Sequence, residues 1–94
     1  MAEQLTLNTF VKRADHQIGA EVDEEVVLMN LNRGYYYGLG EVGTVIWRLL
    51  EQPCSIGELC DRLQSDFEVD RITCENDVIE FIDKTLDEGL VEVV

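Results

Sequence analysis

The chain has 94 residues, 46% of them apolar, which is enough for one modest core and too little for two. Twenty Asp and Glu stand against seven Lys and Arg, a formal net charge of −13. A surface of that sign repels the phosphates of nucleic acids and anionic lipids, so neither nucleic acid nor membrane is expected as a partner.

The chain opens with MAEQLTLNTFVKRAD, which has no apolar run of signal-peptide length, and no later segment is long enough to span a bilayer. Residues 1–9 are expected to be a flexible N-terminus and residues 10–94 a single domain. The cysteines, Cys54, Cys60 and Cys74, are odd in number and lack C-x-x-C spacing, so neither a disulfide framework nor a zinc site is expected. They read as small buried hydrophobes in or beside helices. Reduced thiols without an export signal imply the cytoplasm.

From about residue 10 the chain alternates loosely. The stretch QIGAEVDEEVVLMNLNRGYYYGL reads as an antiparallel meander with strands near 17–22, 25–31 and 34–39. Asp23-Glu24 marks the first turn and Asn32-Arg33-Gly34 the second. The period then changes to that of a helix. Val42, Val45, Ile46, Leu49 and Leu50 form one apolar face, and Pro53 stops the helix. Ser55 and Glu58 have capping-box spacing and open a second helix, faced by Ile56, Leu59, Cys60 and Leu63 and ending near Phe67. Thr73 is the expected N-cap of a third helix, with Gly89 as its C′ residue. The tail LVEVV is extended and suited to adding a short strand.

The third helix carries an apolar arc roughly 160° wide at 100° per residue, wider than packing on one side requires. Cys74, Val78, Phe81 and Thr85 form one side of the arc, and Ile79, Ile82 and Leu86 the other. Two apolar partners are implied: either both belong to the core, or one is a half-exposed groove.

Residues for catalysis are missing. His16 is the sole histidine and reads as a surface side chain, so no Ser-His-Asp or Cys-His arrangement can be assembled. The stretch GYYYGLG has neither phosphate-loop spacing. No enzyme activity, cofactor or metal is expected. The three consecutive tyrosines ask for another explanation. In a strand, Tyr35, Tyr37 and Leu39 share one face, and Gly34, Tyr36 and Gly38 the other. If this strand ends the meander, its edge carries no charge and no proline, the usual devices against pairing. Such an edge suits capture of an extended peptide as an added strand; the plainer alternative is that two tyrosines cover the core and one is incidental.

In order and spacing, VVLMNLNRGYYYGLGEVGTVIWRLLEQPCSIGELCDRL followed by DVIEFIDKTLDEGLV resembles the family of pyrroloquinoline quinone biosynthesis protein D. The shared elements are Val26 to Leu31, Gly34, Tyr35 to Tyr37, Leu39, Gly43, Ser55 to Leu59, Asp77-Val78, Phe81-Ile82 and Gly89-Leu90-Val91. Gly40 departs from the Asn usual there, which weakens the first helix's N-cap slightly. The resemblance implies an α+β, winged-helix-like domain, a three-stranded antiparallel sheet followed by three helices. It implies a non-catalytic module that binds the leader of a ribosomally made precursor peptide against the third strand and third helix. The small proteins of lasso-peptide assembly are most similar, which implies a leader peptidase and a macrolactam cyclase as partner enzymes. A radical S-adenosylmethionine enzyme is the second choice. The expected peptide-binding residues are Gly34, Tyr35, Tyr36, Tyr37, Gly38 and Leu39 on the strand and Cys74, Val78, Phe81 and Thr85 on the helix, with Asp77 at the rim. The rivals are a winged-helix DNA-binding regulator and a docking subunit without peptide binding. Against the first, the second and third helices offer only Arg62, Arg71 and Lys84 among many acids.

Overall fold

A computed structural model of the chain describes residues 5–15, 17–31 and 34–94. Residues 1–4 of the expected flexible N-terminus, the expected surface position of His16, and Asn32 and Arg33 of the second turn lie outside these residues. The elements are β1 (Phe10–Arg13), β2 (Gln17–Val22), β3 (Glu25–Asn30), β4 (Tyr36–Gly38), α1 (Gly40–Leu49), β5 (Cys54–Ser55), α2 (Ile56–Asp66), α3 (Arg71–Asp87) and β6 (Val91–Val93).

The meander is present as an antiparallel sheet in the order β2-β3-β4. Asp23 and Glu24 turn the β2–β3 hairpin with φ of 51° and 70°. Positive φ at both turn residues matches the right-handed twist of the strands, which is why a two-residue loop adopts it. A second small sheet, β5-β1-β6, was not expected. Its strands are two to four residues long, and β1 reads FVKR, too short and too charged for a periodic signal. The expected extended tail becomes β6 by pairing with β1. On the same side, the Leu7 carbonyl accepts from the Gly57 N–H at 2.9 Å, and that of Thr9 from Ile56 at 3.0 Å.

The helices follow the apolar periodicity. α1 opens at Gly40 (φ +72°) without a side-chain cap. α2 has the full capping box: the Glu58 N–H donates to Ser55 Oγ at 3.1 Å, and the Glu58 carboxylate accepts from the Ser55 N–H at 3.3 Å. The N-cap of α3 is Asp70 rather than Thr73: its carboxylate accepts from the Thr73 N–H at 3.0 Å, which puts Thr73 in the first turn. That bond holds the Asp70 carboxyl below its ordinary pKa. Gly89 closes the helix at φ +74°, as expected.

One core joins both sheets to all three helices, with Leu28, Ile46, Leu50, Ile56, Leu59 and Ile82 almost inaccessible to solvent. Thr44 of α1 is buried, and its hydroxyl accepts the Val26 N–H at 2.9 Å, fixing the helix to the sheet. Arg13 stacks over Trp47 at 4.6 Å and donates to the Trp47 carbonyl at 2.6 Å, tying β1 to the other end of α1. Cys60 and Cys74 are buried, as read from the sequence, and Cys54 is half-buried.

Candidate functional site

The site begins at β4. Its register is Met29↔Tyr36, Leu28↔Tyr37 and Val27↔Gly38, and the Leu39 N–H donates to the Val26 carbonyl at 3.0 Å. Hydrogen bonds in an antiparallel ladder serve alternate residues. Tyr37 and Leu39 therefore bond toward β3, and the N–H and C=O groups of Tyr36 and Gly38 point out of the sheet. β4 is last in the strand order, so among the described residues this edge is open. It bears no charge and no proline; only its length of three residues limits pairing.

The two faces of β4 differ. Tyr37 shares the inner face with Leu28, and its hydroxyl donates to the Glu88 carboxylate just past the end of α3. Tyr36 stands on the outer face, 75% exposed. Tyr35 is exposed just before the strand, its ring edge-on to Tyr37 with centroids 6.4 Å apart.

Between β4 and the C-terminal half of α3 lies a groove of about 440 Å³ lined by Tyr37, Leu39, Phe81, Lys84, Glu88 and Leu90, with Tyr36 and Gly38 at its β4 edge. It continues between α1 and α3 as a second cavity of about 320 Å³, which adds Val42, Gly43, Ile46, Asp77 and Glu80. Leu39, Phe81 and Lys84 belong to both. A third cavity, about 110 Å³ and almost wholly apolar, follows beyond Val42 and Asp77, against Leu63, Phe67, Cys74 and Val78. Neighbouring cavities share lining residues, so the three lie in series beside α3, from Cys74 to Glu88. A separate pit of about 300 Å³ lies behind β2 and α1, but Arg13 there is already held by Trp47, and Arg48 by Glu21.

The expected site residues fall into distinct positions. Tyr36, Tyr37, Gly38 and Leu39 border the first cavity. Phe81 is half-buried where the first two cavities meet, and Asp77 is exposed at the rim of the second and third. Cys74, Val78 and Thr85 are buried: Cys74 and Val78 belong to the core and floor the third cavity, and Thr85 floors the first. The Thr85 hydroxyl lies 2.9 Å from the Phe81 carbonyl and 3.1 Å from that of Ile82, so its proton stays on its own helix. Ile82 is core, and Ile79 and Leu86 are partly buried against it. Gly34 is exposed at φ +73° before the strand and borders none of these cavities.

Sequence reasoning missed Lys84, Glu88, Leu90, Val42 and Gly43. Lys84 and Glu88 lie three and seven residues beyond Phe81, on the same helical stripe, so helix periodicity could have found them. Beneath the floor, Cys74 Sγ approaches the Cys60 carbonyl at 3.8 Å. Burial, followed by the neighbouring Cys74, pushes the Cys60 thiol pKa up to about 11.

The family model of coenzyme PQQ synthesis protein D matches residues 25–91, from the start of β3 to the start of β6. The chain belongs to the PqqD family. The matched span contains the β4 edge and all of α3, so the groove lies wholly within the PqqD-family part. Among solved structures, the chain is similar to TbiB1 in complex with the TbiA(beta) leader peptide: 38% identity, 86% of this chain and 94% of that one covered, TM-score 0.81. It shares the fold of lasso peptide synthetase B1 complexed with the leader peptide, at 23% identity, 87% and 96% coverage and TM-score 0.74. No curated protein matches.

Proposed function

We propose that this PqqD-family protein is a non-catalytic module that captures the leader segment of a ribosomally made precursor peptide and presents it to modifying enzymes. The observation that carries this reading is the open, uncharged edge of β4 beside a groove on α3 in which Leu39, Phe81 and Leu90 are flanked by Lys84 and Glu88. The likeness to TbiB1, solved with a leader peptide, supports it. A leader extended along β4 gains backbone hydrogen bonds from Tyr36 and Gly38, and its alternate side chains turn toward Phe81 and Leu39. Among the described residues, no group of three or more His, Cys, Asp or Glu is placed to hold a metal.

The enzymes served are, in this reading, a leader peptidase and a macrolactam cyclase, as in lasso-peptide assembly; a radical S-adenosylmethionine enzyme is the alternative. The setting is cytoplasmic. No helix formed by the described residues is long and apolar enough to cross a membrane. The test is calorimetric titration with the TbiA(beta) leader peptide and with leader segments of precursors encoded beside the gene. Saturable binding with amide shifts centred on residues 36–39 and 77–88 is expected. Absence of binding to all of them, or shifts clustered elsewhere, overturns the reading.

A further inference from the structure

Gly43 lies inside α1, where glycine is the poorest helix former apart from proline. Its φ is not positive, so backbone geometry does not require it. The space around it does. A Cβ at Gly43 would stand 2.8 Å from Phe81 Cε1, 3.4 Å from Phe81 Cζ and 3.1 Å from Leu39 Cβ. The Phe81 ring therefore rests on the bare backbone of α1. From there it borders both larger cavities, about 440 Å³ and 320 Å³.

We propose that Gly43 and Phe81 form one specificity element: Gly43 provides the seat that holds the Phe81 ring back against α1, and the ring so held stands between the two larger cavities, which take separate peptide side chains. This rests on the groove being the leader site. A methyl group at position 43 cannot be accommodated by the α1 backbone, so the ring must swing off its seat into one cavity or α1 must move from α3. The ring is the freer of the two, being half-buried with cavities on both sides, whereas α1 is fixed by Thr44, Ile46 and Trp47 in the core. Gly43 is thus a positioning residue that acts through Phe81.

The test uses the full chain and its Gly43→Ala, Phe81→Leu and Gly43→Ala/Phe81→Leu variants. The first measurement needs no peptide. In the wild type, nuclear Overhauser contacts should join the Phe81 ring to the Gly43 Hα atoms. In Gly43→Ala the ring contacts should shift toward Tyr37 and Leu90, or toward Val42 and Ile46. The second measurement is affinity for the TbiA(beta) leader peptide. Gly43→Ala should weaken it by about tenfold or more, and adding Phe81→Leu should return it to within about threefold of Phe81→Leu alone. If Gly43→Ala does not fold, recovery of the melting transition in the double variant carries the same meaning. An unmoved ring with unchanged affinity overturns the proposal, as does a loss that Phe81→Leu fails to relieve. A ring that moves in a protein binding no leader peptide supports the seat and refutes the proposed function instead.

Discussion

Neighbouring residues of α3 have different roles. Phe81 is half-buried over the groove, and Ile82 is fully buried. Phe81→Ala is expected to weaken leader binding by about 2 kcal/mol or more, as for an aromatic anchor. Its folding cost should stay below the roughly 3 kcal/mol of a fully buried aromatic. Ile82→Ala should do the opposite, lowering stability by about 2–5 kcal/mol while the folded fraction keeps its affinity. Chemical denaturation and titration of both variants check the pair; a Phe81→Ala protein that binds normally contradicts the site. Helical periodicity in the sequence shows that residues 81 and 82 lie on one broad apolar arc. It cannot say which edge of the arc meets a cavity, because that depends on where β4 and α1 come to rest. Cys74 and Val78 illustrate the point, being floor and core together.

The elements most legible in the sequence are those whose signal is local. The capping box of α2, the glycine end of α3 and the hairpin turn at Asp23-Glu24 each follow from a few adjacent residues. The sheet β5-β1-β6 was not legible, since its short strands exist only through pairing between segments far apart in the chain. The start of α3 differs by a few residues from its expected place because Asp70 and Thr73 are both competent caps, and the carboxylate takes the position. β4 was legible as an aromatic strand, and its open edge gives a direct prediction. At Gly38 a Cβ would meet nothing within 4 Å, and φ is not positive. Gly38→Lys should therefore fold with little change in stability, within about 0.5–1 kcal/mol. Lysine is a common guard of strand edges, and here it should raise the leader dissociation constant by about tenfold or more. An unchanged titration curve would show that the peptide does not use this edge.

The molecule as a whole carries a net charge of −13, and duplex DNA should give no gel shift at physiological salt; a salt-sensitive shift at micromolar protein would contradict this. Alkaline pH should act through Cys60. Its folded-state pKa, about 11, exceeds the ordinary 9.0, so the native state holds a proton that the unfolded chain releases first. Stability from this group is complete below pH 9 and is lost as pH rises toward 11. Denaturation midpoints should fall over that window, and Cys60→Ala should flatten the decline; an equally steep decline in the variant would assign it elsewhere. The remaining feature is the pairing of the first strand with the last. β1 and β6 are antiparallel neighbours, Val11 faces Val93, and the Val94 N–H donates to the Phe10 carbonyl at 2.9 Å. A pulling force applied at residue 10 and residue 94 acts across these strands rather than along them. The bonds then load one after another instead of together, and the sheet peels like a zipper. Held at these two points, the domain should yield at low force, β6 leaving first, while the β2–β3–β4 meander lies outside the line of pull.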